Sequence, residues 1–154
     1  MSASPEMMPP SCHLYDHNTT WLPFAGIENL ELTLCDIDEA RETVDLLVRF
    51  APNKTVTMHN HLAQMNMFII QGELRMYEPD GSIREIRSAG NYFRGRRDDA
   101  HSEGGGPDGA VVFYSMRGHG AEELLEVMDD DQNVLATVTM ADVRAAWDAQ
   151  QAAT

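Results

Sequence analysis

Turn residues break this chain into short pieces, and that punctuation constrains the fold more than any other feature. From Leu30 to Thr139 each apolar run is closed by Gly, Pro, Asn or Asp within a few residues, before a helix can develop. The pieces read as strands over 30–35, 43–50, 66–71, 73–78, 82–87, 91–94, 110–116, 124–128 and 134–139. Within 73–78, Leu74 and Met76 alternate with Arg75 and Tyr77, the period of a half-buried strand. Residues 36–42 form a polar connection, Pro79-Asp80-Gly81 a turn, 103–109 a glycine-rich loop and 129–133 a hairpin tip. Only the end has helical spacing. Over 142–150, Val143, Ala146 and Trp147 share a face, with Met140 just before them and either Thr139 or Met140 at the start. Many short strands and one terminal helix predict an all-β sandwich or barrel.

The chain has 154 residues, enough for one domain with a real core, and 43% of them are hydrophobic, which places it among globular rather than disordered proteins. Its formal charge of -14 sets nucleic acid and anionic membrane surfaces aside as partners. No run reaches the ~20 apolar residues of a bilayer span. Residues 1–10 lack the basic and apolar regions of a secretory signal, and Cys12 and Cys35 are the only thiols. A reduced, cytoplasmic setting is the plainer reading, with a bridge between the two left open. Residues 1–14 read as a flexible arm and 15–154 as a single domain. Trp21-Leu22-Pro23-Phe24 reads as an N-terminal segment packed across a sheet.

Chemistry concentrates in one stretch, Lys54 to Gly72. Reading 54–61 as a strand, His59 and His61 project to one face together with Thr55 and Thr57, while Val56 and Met58 take the other. Two imidazoles side by side are half of a metal site. His101 is the best candidate for a third donor. His13, His17 and His119 lack such a frame, and His119 falls in an exposed turn.

His59-x-His61 followed by Gly72, then Gly90 followed eleven residues later by His101, resembles the two motifs of the cupin superfamily. The resemblance implies a cupin barrel, a double-stranded β-helix or jelly roll with a short C-terminal helix. The usual first motif adds a glutamate ligand after the second histidine. Here that position reads as Asn66, with Gln64 and Met65 beside it, and none of these is anionic. The second motif departs as well, since Arg96-Arg97-Asp98 replaces its proline-glycine turn. Together with Trp21-Leu-Pro-Phe24 and the C-terminal segment from Glu126 to Trp147, the pattern is similar to the acetylacetone-cleaving dioxygenases. Related groups are the 2,4'-dihydroxyacetophenone dioxygenases and the ChrR-like cupins.

That resemblance implies a mononuclear non-haem Fe(II) centre on His59, His61 and His101. It further implies a β-dicarbonyl substrate bound as its enolate, C–C cleavage by O2, and a homodimer or homotetramer. Three neutral ligands leave the metal its full positive charge to hold an anion. Zn, Ni or Mn fits the same donors, and zinc would favour hydrolysis over oxygenation. A non-catalytic ChrR-like binding domain is the third reading. Gln64, Asn66, Arg75, Arg94 and Tyr114 are candidates for groups around the centre, each weighed against an ordinary surface or packing role. Met58, Met65, Met67 and Met76 read as packing. Arg94 to Arg97 read as a surface patch paired with Asp98 and Asp99, and Asp129 to Asp131 as a solvated turn.

Overall fold

The computed structural model describes residues 19–153. The expected arm over 1–14, which holds Cys12 and His13, lies outside the described residues, as does His17. Among those described are nine strands and one helix: β1 (Leu30–Asp38), β2 (Thr43–Phe50), β3 (His59–His61), β4 (Gln64–Tyr77), β5 (Ile83–Ser88), β6 (Tyr92–Phe93), β7 (Ala100–Arg117), β8 (Glu123–Met128), β9 (Val134–Thr139) and α1 (Met140–Ala153). All named pairings are antiparallel. The sheet runs β1-β2-β7-β3-β8-β9, with β4 joined to β5, β6 and β7. This is the curled all-β architecture that the turn punctuation demands.

The long strand β7 organises the barrel. Its second half, from Ala110 to Arg117, lies between β2 and β4, and its first residues, Ala100 and His101, pair with β3. Inward residues interdigitate at the centre: Val44, Leu46 and Val48 from β2, Met65, Met67 and Ile69 from β4, Val112, Tyr114 and Met116 from β7. Most outward residues of the same strands are half-buried or exposed, as the period of two requires, while Leu47 and Asn66 are buried on that face too.

Three boundaries differ from the sequence reading, each for a backbone reason. First, the ladder around the histidines covers only His59–His61. Residues 54–58 are not a continued strand, so Thr55 is exposed and Met58 and His59 are buried in succession. Second, 66–71 and 73–78 are one strand, β4, bent at Gly72. There φ is 77°, and a Cβ would stand 2.2 Å from the Gly109 carbonyl oxygen. Third, 103–109 is not a loop but part of β7. Gly105, Gly104 and Glu103 pair with Leu74, Arg75 and Met76, and the register jumps before Ala110 meets Gly72. Glycine is needed at 104 because a Cβ would lie 1.9 Å from the Lys54 carbonyl oxygen, where the chain crosses β7. The Val56 amide donates to the Glu103 carbonyl at 2.8 Å on that crossing.

The helix starts in a capping box. The Thr139 hydroxyl accepts from the Asp142 amide at 3.3 Å, and the Asp142 carboxylate accepts from the Thr139 amide at 2.8 Å. Met140 and Val143 are buried, and Ala146 and Trp147 pack against the core. Gln150, not singled out in the sequence, is buried and closes the edge strand β1. It accepts from the Leu34 amide at 2.7 Å and donates to the Leu34 carbonyl at 2.8 Å. At the other end Leu22 bridges to Leu32, and the Arg49 guanidinium stacks 4.7 Å over Trp21.

Candidate metal centre

Register builds the site. In the β3–β7 pairing His59 stands directly opposite His101, while His59 and His61 pair with Val127 and Leu125 of β8. All three imidazoles are buried, at 3%, 6% and 5% exposure, with ring centroids 4.8 to 5.1 Å apart. One ligand atom from each lies within 4.8 Å of the others. The turn after β6 is tied to this corner, since the Asp98 amide donates to the His61 carbonyl at 2.8 Å.

Backbone carbonyls set the tautomers. His59 Nδ1 lies 2.8 Å from the Thr57 carbonyl oxygen, and His101 Nδ1 lies 2.9 Å from that of Asp99. A carbonyl can only accept, so each Nδ1 carries a proton, and in the neutral ring Nε2 is then the nitrogen with the lone pair. Burial holds His61 and His101 well toward the neutral form, and positive charge on a neighbouring ring disfavours protonation further. For His101 the Glu103 carboxylate pulls the other way without overcoming burial. His101 Nε2 and His61 Nδ1 are buried without hydrogen-bond partners among the described residues. Neutral, converging, unpartnered nitrogens are what a divalent transition metal requires, so the residues fit such an ion.

Two hollows meet at the triad. The larger, of about 470 Å³, is walled by His61 and His101, by Met65, Met67 and Met76, and by a charged rim that includes Arg84, Arg87, Arg94 and Asp99. The smaller, of about 60 Å³, is an apolar slot between His59, His61, Glu103, Tyr114 and the core residues of β1 and β2. A rim network steadies His101. Arg84 grips Glu78 through two nitrogens at 2.7 and 2.8 Å and Asp99 through a third at 2.6 Å, and the Asp99 carbonyl holds the His101 ring. Arg87 bonds Glu85 and lies 4.4 Å over the Phe93 ring.

The sequence candidates divide. Arg94 is on the rim of the larger hollow, and Tyr114 is fully buried in the wall of the smaller one. Gln64 Nε2 donates to the Asn66 side-chain oxygen Oδ1 at 3.0 Å, and Asn66 lies on the face of β4 opposite Met65 and Met67. The β4 residue aimed at the histidines is therefore Met65, one position from where the sequence places the missing glutamate. Arg75 pairs with Glu73 at 2.7 Å and lines neither hollow. Met65, Met67 and Met76 do pack in the core, and they also wall the larger hollow. Asp99 pairs with Arg84 of β5 rather than with the neighbouring arginine run, and His119 is exposed beside Arg97.

Glu103 went unread in the sequence. It is 4% exposed, and its Oε1 accepts from the Tyr114 hydroxyl at 3.1 Å. That carboxylate and burial hold the tyrosine well above its ordinary range, so it stays a neutral hydroxyl donor. The available signal was alternation: Glu103 is two residues beyond His101 and shares its face, once the glycine run is read as strand.

A curled antiparallel β-barrel with a buried imidazole triad opening on a cavity defines a metal-binding cupin. The chain belongs to the ChrR cupin-like domain family, whose pattern it matches over residues 12–121. In structure it is similar to an acetylacetone dioxygenase from Acinetobacter johnsonii, with a TM-score of 0.71 and 14% identity over 97% of this chain and 98% of that one. An RmlC-like cupin from Ralstonia eutropha JMP134 superposes with a TM-score of 0.72 at 18% identity, over 92% of this chain and 87% of that one. A polyketide cyclase from Streptomyces resistomycificus follows at 0.58 and 17%, over 73% and 81%. Among curated proteins no sequence match is significant. No helix among the described residues is long and apolar enough to cross a membrane.

Proposed function

We propose that this protein is a mononuclear non-haem Fe(II) dioxygenase that cleaves a C–C bond of a small β-dicarbonyl compound. The observation that carries the reading is the triad itself, three buried imidazoles of which His61 and His101 open on a hollow of about 470 Å³. Likeness to an acetylacetone dioxygenase along nearly the full length of both chains supports it. His59, His61 and His101 would hold the iron. When bound, Fe(II) supplies the Lewis acidity that favours the enolate form of a dicarbonyl and the redox chemistry that O2 needs.

The remaining roles belong to the chain. Thr57 and Asp99 carbonyls keep His59 and His101 in the tautomer that presents Nε2. The Arg84 clamp on Glu78 and Asp99 fixes the segment that carries His101. Met65, Met67 and Met76 line the hollow with apolar surface, which suits the carbon skeleton of a small dicarbonyl and limits water beside it. Arg94, which lines the same hollow, would offer positive charge to a dicarbonyl oxygen that gains negative charge. The reading includes a homodimer or homotetramer. Exposed Phe68, Tyr92, Ile83 and Ile86 on the outer face of β4, β5 and β6 support that part.

The test is anaerobic reconstitution with Fe(II) followed by acetylacetone. The expected result is a visible charge-transfer band that oxygen bleaches, with oxygen consumed as the dicarbonyl disappears. Iron confirmed in place without oxygen uptake across a panel of 1,3-dicarbonyls overturns the proposal. Turnover by zinc-loaded protein without air would replace it with hydrolysis.

A further inference from the structure

The triad does not stand alone, and the group beside it is a buried carboxyl group. We propose that Glu103 is a fourth protein donor to the metal, bound through Oε2. It is supplied from β7, where β4 presents only the thioether of Met65. The inference rests on the reading that the triad holds a divalent ion.

Glu103 Oε1 lies 3.7 Å from His59 Nε2, and Oε2 lies 3.8 Å from His101 Nε2. The Nδ1 atoms of both rings are committed to backbone carbonyls, so Nε2 is the atom that each ring turns toward the carboxylate. These separations exceed a hydrogen bond and approach the ~3.4 Å between two donors that share a tetrahedral ion at ~2.1 Å. Tyr114 occupies Oε1, whereas Oε2 is buried with no hydrogen-bond partner among the described residues. An unpaired carboxylate oxygen is costly in so dry a place, and a cation shared with the His101 nitrogen beside it satisfies both. Crowding at residues 103 and 104 keeps the carboxylate there. The Val56 amide bonds the Glu103 carbonyl, and Gly104 lies against the Lys54 carbonyl. A metal with three histidines and one carboxylate carries one positive charge less than one held by the triad alone, and it has one fewer open position for ligands.

The experiment compares wild type with Glu103→Gln, which keeps the size of the side chain and an acceptor for Tyr114. Metal-free protein is titrated with Co(II), and both affinity and the visible d–d bands are recorded. The expected result is a loss of affinity of roughly 10- to 100-fold or more, together with shifted bands, because the ion loses an oxygen donor. Superimposable bands overturn the proposal whatever the affinity does, since an outer carboxylate tunes affinity without changing the donor set. Infrared difference spectra of wild type with and without Zn give a readout that needs no variant. A shifted carboxylate stretch supports direct binding, and its absence overturns it. Wild type that binds no equivalent of metal, or His101→Ala that binds as tightly, would instead sink the triad reading, a different failure from overlaid spectra in a protein that binds.

Discussion

His101 is the residue on which the centre closes, because it brings a second strand to the pair on β3. His101→Ala is expected to lower metal affinity by at least 100-fold, checked by titration and by elemental analysis of protein purified without added metal. Acid should have a similar effect on the intact site. His61 and His101 are held below the ordinary imidazole range, so the unfolded chain takes up protons first as pH falls. The stability they contribute to the metal-free protein is present above about pH 6.5 and is lost progressively below it, toward their lowered folded values. Urea melts of the metal-free protein between pH 7.5 and 5 check this, with a falling midpoint expected. Metal affinity should decline over the same range, because only neutral imidazole binds.

At the scale of the element, β7 was only half legible. Its second half, from Ala110 to Met116, reads as a strand from apolar content alone. Its first half hides behind Gly104-Gly105-Gly106, which resembles a loop until the crossing chain at Lys54 shows why a side chain is barred. Gly104→Ala should therefore destabilise by about 3 kcal/mol or more, since backbone rather than a flexible side chain must move. Chemical denaturation with and without metal measures it. At the opposite edge, Gln150→Ala leaves the Leu34 amide and carbonyl buried and unpaired. A loss of about 2 kcal/mol is expected in the same assay.

For the whole molecule, an ion that binds the folded barrel and not the unfolded chain must stabilise it. At a free metal concentration of ~100 Kd the gain is about 2.7 kcal/mol, visible as a rise in Tm that His101→Ala abolishes. The surrounding charge sharpens the local one. In a chain of net charge -14, Arg84 and Arg87 from β5 and Arg94 from just after β6 gather on the rim of the larger hollow. The Arg94 to Arg97 run alone showed a basic cluster, but it did not show which arginine would hold Asp99 and, through it, His101.

The period of a strand and the chemistry of imidazole already place His59 and His61 on one face, and the resemblance of their motifs to those of cupins already implies a barrel around them. Turn residues likewise mark the terminal helix and most strand ends, because those signals are local. Tertiary structure alone decided what else faces the histidines. Pairing β3 with β7 sets His101, the third donor named from the sequence, opposite His59. The register of β4 on β7 turns Met65 inward and Asn66 outward. The close crossing at Gly104 extends β7 through Glu103, so a buried carboxylate stands where the sequence suggested only a flexible loop. Register and close approach are properties of two segments at once, and neither segment carries them by itself.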